Sequence, residues 1–517
     1  MAQPPADLTW ALHAEPGTLD PAKVDDQSAE TVRFLTAGVL LRVNRMSGQP
    51  EPALAEHWDV SADGRAVTLR LRAGLQFSDG SPVTARDAVA SLQRVLDPAT
   101  AAPVADEFLQ PRAVTVDSPG PLLVRLRLPK RIVSLAKVLD QIAIEPATHT
   151  EPSAVTAGPF TVADYHRGEY LLLRRNSHYW KHDRAGQPLP YLASVRLDIV
   201  SNRQMERLRF TQGRYDLIES LAPEDFDEVQ HATGGAHDLG ASLNTEQLWF
   251  NQVADAPLQG YERGWFANPT FRQAVSLAIH RNDLARLAYK SHATPAYGFI
   301  SPANKTWFSA ANQAPHEDTA RSEALLSTAG FHRVGGHLVD ADGHPVRFSI
   351  LTNSGNRPRK LMGTLIAQDL AALGMQVTVV ELDFPALIER LMHTHDYEAA
   401  LLGLSNVDPD PGAMANVWLS SSPNHQWNPS QKTPATLWEA ELDGLITTQA
   451  ATADHAERKH AVDRMQAIVA QQQPFIYLVY PNQLCAVSPT LTGADLSLLA
   501  PTTLSAVETM RHRAVAR

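Results

Sequence analysis

Two carboxylates stand two residues apart in the stretch GLSNVDPDP, Gly403 to Pro411. Paired acids suggest general acid–base catalysis or a hard cation. A catalytic pair must converge on its substrate from separate elements, which two acids on one proline-stiffened loop do not do. A calcium loop sets oxygen ligands at alternating positions around a flexible glycine turn. Here Pro409 and Pro411 occupy the intervening positions, and no glutamate follows Gly412 at the required distance. Asp408 and Asp410 therefore read as turn formers and helix caps.

The remaining reactive side chains carry no stronger signal. Of the 20 histidines, His393 and His395, like His332 and His337, have no metal-ligand spacing. His393 and His395 fall at an expected helix end, where a cation suits the dipole. The single cysteine, Cys485, follows a strand-like run with no histidine close by and reads as a packed thiol. G-x-S-x-G, H-E-x-x-H, Walker A and G-x-G-x-x-G patterns are absent. No metal and no cofactor are expected, and nothing argues for an enzyme. Most of the nine tryptophans read as core, while Trp418 and Trp427, near expected loops, are candidates to line a ligand cleft.

The elements that must position these residues belong to a large, acidic, globular chain. Its 517 residues suggest several domains. Hydrophobic content of 44% and charged content of 20% fit a packed core. A net charge of −11 disfavours phosphate backbones, so nucleic acid is not an expected partner. No apolar run reaches the length of a membrane span. The opening MAQPPADLTW has neither a basic start nor an apolar stretch, which fits a chain whose export signal has been removed and equally a cytoplasmic protein.

Alternation of Val67, Leu69 and Leu71 with Thr68, Arg70 and Arg72 predicts a strand with one wet face. Asp79-Gly80 signals a turn, and Thr84 with Asp87 a capped helix through Leu96. With a second alternating strand at Val124 to Leu128, this block reads as a small α/β unit. Asn268-Pro269 opens a helix through Ile279. A further helix is expected from about Lys360 to Leu373, stopped by Gly374. Then follow the strand QVTVVEL, a helix capped by Asp383 and the strand YEAALLG. Strand–helix–strand order implies parallel sheets, with ligands at the carboxyl ends of strands. GLSNVDPDP lies at such an end.

Several blocks, in order along the chain, resemble the extracellular solute-binding proteins of family 5, the oligopeptide-, dipeptide- and nickel-binding receptors of ABC importers. They are GTLDP (Gly17–Pro21), the stretch from Pro50 to Pro98, AGPFTVADYHRGEYLLLRRNSHYW (Ala157–Trp180), and Phe250 to Arg281, where His280 stands in place of the usual aspartate. The resemblance implies an α/β fold of the type II periplasmic-binding-protein class. Two hinged lobes with parallel-rich mixed sheets carry an extra α/β domain inserted in the first lobe. Carried over, the first lobe comprises 1–45, 156–245 and 481–517, the inserted domain 46–155 and the second lobe 246–480.

The implied function is capture of a peptide-like or other small solute in an interlobe cleft and its delivery to a membrane permease. The expected site is periplasmic or at the cell surface, the expected state a monomer. A ligand sensor using the same cleft is the alternative, and an enzyme on this scaffold a poorer one. In peptide-binding relatives the GLSNVDPDP loop offers backbone to an extended ligand, and an aspartate holds the ligand's ammonium. A gapless match places Gly403 and Ser405 at the backbone-pairing positions and Val407, not an acid, at the anchor. Asp408 falls one residue late, and Asp410 matches a structural turn. The Asn353–Arg359 loop resembles another cleft-lining segment. The expected ligand-binding set is therefore Gln27, Ser28, Trp249, Asn251, Asn353, Arg357, Gly403, Leu404, Ser405, Asn406, Val407, Asp408 and Trp418.

Overall fold

The computed structural model describes residues 6–108, 111–132, 134–148, 154–406, 408–452 and 454–513. It divides into two compact units, Met1–His237 with Cys485–Arg517, and Asp238–Leu484. The chain passes from one to the other within the strands Ala236–Ala241 and Ile476–Val487.

The first unit holds two hydrophobic cores. One gathers Trp10, Phe34, Leu171 and Leu197 around a four-stranded sheet ordered Leu8–Leu12, Ser194–Ile199, Tyr170–Arg175, Phe160–His166. The other lies between the antiparallel sheet Ala55–Val60, Ala66–Leu71, Leu123–Arg127, Thr115–Gly120 and the helix Ala85–Leu96. Val67, Leu69 and Leu71 are buried and Arg70 is exposed, as alternation requires. The Thr84 N–H donates to the Asp87 carboxylate at 2.8 Å, the returning half of a capping box.

In the second unit the strands run in the order Ile476–Val487, Thr245–Phe250, Ala399–Leu404, Arg347–Asn353, Gln376–Leu382. Thr245–Phe250 lies inside this sheet, and all six of its residues are buried. Its alternating side chains feed two cores. Leu248 and Phe250 meet Met362, Ile366 and Leu370 of the helix Arg357–Ala372 on one face. Trp249 meets Trp418, Trp427 and Phe475 on the other. Asn268 and Asp383 cap their helices through the N–H groups of Thr270 and Ala386. Gly374 takes the left-handed conformation, φ 90°, that ends the long helix. That helix starts at Arg357, ahead of the expected Lys360, because Asn356 caps it by accepting from the Arg359 N–H at 3.0 Å.

The sheets are mixed, with a smaller parallel share than the strand–helix–strand pattern suggests. Leu8–Leu12 pairs parallel with Ser194–Ile199, and Arg347–Asn353 parallel with both Gln376–Leu382 and Ala399–Leu404. The hairpin of Phe160–His166 with Tyr170–Arg175 and the pairing of Thr245–Phe250 with both its neighbours are antiparallel. A hairpin needs only a short turn, whereas each parallel pair needs a full crossover.

Candidate ligand-binding site

Ala399–Leu404 pairs with Thr245–Phe250 along its whole length, from Ala399 opposite Phe250 to Leu404 opposite Thr245. On its other side it pairs with Arg347–Asn353 only at Ala399 and Ala400. The Asn251 N–H donates to the Glu398 carbonyl at 2.9 Å, which sets the phase of the antiparallel ladder. Alternate residues turn their backbone groups to opposite sides, so Gly403, like Leu401, faces away from Thr245–Phe250. The Leu401 carbonyl accepts from the Thr352 hydroxyl at 2.9 Å. Gly403 lies beyond the pairing with Arg347–Asn353, and its N–H and C=O are presented along that edge.

An ion pair lies against the same glycine. Glu246 stands directly opposite Gly403. Its carboxylate accepts from Arg359 Nε at 2.8 Å and Nη2 at 3.0 Å, and from the Tyr289 hydroxyl at 3.2 Å. Arg359 Nη1 donates to Asn353 Oδ1 at 2.8 Å. A Cβ on Gly403 would meet Arg359 Nη2 at 2.5 Å and Glu246 Oε1 at 2.8 Å, so any larger residue must displace the ends of this pair. Burial disfavours the Arg359 charge, but the attraction and hydrogen bonds of Glu246 outweigh it and hold the guanidinium above its ordinary value.

This pair was not foreseen as part of the site, although two signals pointed to it. Glu246 stands two residues ahead of the apolar run Leu248–Phe250, and an acid drawn into a buried strand needs a partner. Arg357, Arg359 and Lys360 crowd the first turn of a helix, where the dipole disfavours cations. Arg359 turns to Glu246, and Lys360 pairs with Glu381 at 2.6 Å.

A match to the bacterial extracellular solute-binding proteins, family 5 Middle, spans residues 49–426. The chain belongs to this family. A probable ABC transporter-binding protein of Deinococcus radiodurans is 27% identical over 89% of this chain and 84% of its own length. Among solved structures, an ABC transporter substrate-binding protein, CtaP of Listeria monocytogenes, superposes with a TM-score of 0.82 at 21% identity, covering 99% of this chain and 100% of that one. The oligopeptide-binding protein AppA of Bacillus subtilis, in complex with a nonapeptide, gives 0.71 at 19% identity, covering 99% and 100%. The protein is thus a family 5 solute-binding protein of the type II periplasmic-binding fold, the class that serves ABC importers.

Around the family 5 loop, the expected site residues separate into those near the free edge and those in the core. Gly403 and Leu404 end the strand, and Ser405 is exposed beyond it. The Asn406 N–H donates to Asn244 Oδ1 at 2.9 Å and its amide to the Leu243 carbonyl at 2.8 Å, which tethers the loop. Val407 lies outside the described residues. Asn353 holds Arg359, while Arg357 is exposed at the first helical position. In the first unit, Gln27 and the buried Ser28 open the helix Gln27–Thr36, capped by Asp26.

Trp249, Asn251 and Trp418 are corrected to core roles, as is Trp427. Trp249 is 1% exposed and donates to the Tyr397 hydroxyl at 3.2 Å. Asn251 is fully buried and donates to the carbonyls of His395 and Tyr397, both at 2.8 Å. Trp418 and Trp427 are both fully buried, with ring centroids 5.9 Å apart. Large apolar rings and a saturated amide gain more from a dry core than from a wet loop.

Asp408 and Asp410 act as the turn formers expected. Asp408 Oδ1 accepts from the Asp410 N–H at 2.7 Å. Asp410 Oδ1 accepts from the Gly412 N–H at 2.9 Å and from Arg458 Nη2 at 2.7 Å. The cavity beneath, lined by Leu243, Phe299, Asn304, Asn406 and Asp408, measures about 20 Å³. It has room for a water and not for a solute. Cys485 is buried. Among the described residues, no three His, Cys, Asp or Glu side chains gather as a metal site requires, and no helix is long and apolar enough to cross a membrane.

Proposed function

We propose that this chain captures an extended, peptide-like solute by adding the ligand's backbone to the free edge at Gly403, and hands it unchanged to an ABC permease outside the cytoplasm. The observation that carries this reading is the phase of the ladder. The N–H and C=O of Gly403 point to the side where the neighbouring strand has ceased to pair. Main-chain pairing recognises a peptide backbone whatever its side chains are, which suits a receptor for a class of solutes. Similarity of fold to a nonapeptide-bound AppA supports the same reading. Asn353, Ser405 and Asn406 flank the edge and are assigned to its rim, with Asn406 holding the loop in place.

The test is thermal unfolding and calorimetry of the full chain with a pool of four- to six-residue peptides. Ligand binding to the native state should raise the melting temperature by mass action. Replacing one ligand amide with an ester removes a single N–H and should weaken binding at one position of the peptide. Gly403→Pro removes the protein's own N–H and should abolish binding. Equal affinity of wild type and a folded Gly403→Pro for the same peptides would sink the reading. Peptides should be recovered intact by chromatography, and cleavage products would replace capture with catalysis.

A further inference from the structure

We infer that the subsite beside Gly403 selects a ligand segment that carries no net charge, and that the matched pair Glu246–Arg359 sets this selectivity. The inference rests on the edge-pairing reading above. It concerns only what that edge accepts.

The first side-chain atoms that any group above the Gly403 Cα would encounter belong to this pair, Arg359 Nη2 and Glu246 Oε1. Gly403 and Glu246 are a directly opposed pair outside the hydrogen-bonded positions of the ladder, the closer of the two cross-strand spacings. A ligand strand added to this edge therefore places a residue over the ion pair. The two charges are joined through parallel bonds of 2.8 and 3.0 Å, a bidentate geometry that cancels them locally. Both side chains are largely withdrawn from water, at 16% exposure for Arg359 and 7% for Glu246.

Hydrogen-bond counting then decides what fits. The guanidinium has five N–H donors. Three are engaged, two by Glu246 and one by Asn353. Those left suit a neutral acceptor such as a peptide carbonyl, a primary amide or a hydroxyl. A ligand carboxylate would meet an arginine whose charge is already matched, and would leave the subsite with a net negative charge. A ligand ammonium would have to draw Glu246 from its bonds with Arg359 and Tyr289, leaving the arginine unmatched. Charge without a partner in a poorly hydrated place is costly, so both charged ends are penalised while an uncharged segment is not.

The experiment is calorimetry of the full chain against four forms of tetra-alanine: free at both ends, N-acetylated, C-amidated, and blocked at both ends. The doubly blocked form should bind tightest, by about tenfold or more over the free form, which is a difference calorimetry resolves readily. Two variants should move the ranking in opposite directions. Glu246→Gln leaves the arginine unmatched and should favour the form with a free carboxylate. Arg359→Gln leaves the glutamate unmatched and should favour the form with a free ammonium. Ratios between ligands within one variant are read, so a general loss of affinity cannot imitate the switch. The wild-type ranking decides even if a variant does not fold. A wild type that prefers the free peptide overturns the neutral subsite and leaves edge pairing standing. Failure of all four forms to bind overturns the edge-pairing reading, and the inference falls with it.

Discussion

Glu246 and Glu439 are both buried carboxylates of the second unit, and they are used differently. Glu439 is enclosed by its own neighbourhood in the chain. It accepts from His425 at 3.2 Å, Trp427 at 3.1 Å, Gln431 at 3.0 Å and Thr436 at 2.8 Å. Every one of these donors lies within 14 residues of it. Glu246 depends on Arg359, 113 residues away, and lies beside Gly403, whose outer side Arg347–Asn353 has ceased to pair among the described residues. A carboxylate surrounded by local donors locks a loop onto a helix. One that shares its place with an open strand edge can shape a binding site. Burial and hydrogen bonding alone do not distinguish the two, and the backbone beside them does.

This comparison can be tested at four points. Glu439→Ala should have the largest effect, about 4–5 kcal/mol, because it leaves the buried donors of His425 and Trp427 without an acceptor. Urea unfolding measures it, and a loss below about 1 kcal/mol would remove Glu439 from the stabilising core.

The second concerns acid. Burial works to raise the Glu439 carboxyl, but hydrogen bonds from His425, Gln431, Thr436 and Trp427 bring it from 4.5 down to about 2. A carboxyl lowered in the folded state contributes its full stability above its unfolded value and loses it as pH falls through the folded one. On the order of 3 kcal/mol should therefore disappear between about pH 5 and pH 2. In Glu439→Gln this part of the acid limb should be flat. An unchanged limb would assign the acid sensitivity to other carboxylates.

Third, Arg359→Met should cost about 2–3 kcal/mol, less than Glu439→Ala, since Glu246 retains Tyr289 and lies near the edge. Adding Glu246→Gln should restore part of that loss, and a double variant no more stable than Arg359→Met would show the two residues to be uncoupled. Smallest is Gly403→Ala, at about 1–2 kcal/mol, because the new methyl meets the movable end of Arg359. A neutral result would mean that the pair shifts freely and does not need glycine.

Much of this architecture was legible from local chemistry. The caps at Thr84, Asn268 and Asp383 and the helix stop at Gly374 depend on bonds or torsions within a few residues, and they occur where the residue types place them. Asp408 and Asp410 likewise satisfy groups within their own turn. The tryptophans were less legible. Trp418 and Trp427 follow loop-like sequence, yet the packing of Phe475 and Phe299 around them makes that loop part of the core. Asn251 looked like a polar residue available to a ligand, but its amide is saturated by carbonyls 144 and 146 residues away.

The sequence by itself determined several segments: the helices and strands named from it, their capped or glycine-stopped ends, and that the family 5 blocks follow in order. These rest on periodicity, capping and turn chemistry, all short-range. Only the tertiary structure decided that Glu246 meets Arg359, that both press on Gly403, and that the Gly403 backbone faces an edge the next strand has left. Strand register and the end of a pairing are set by cores assembled from distant segments, and a one-residue change of register would turn every one of these side chains to the opposite face.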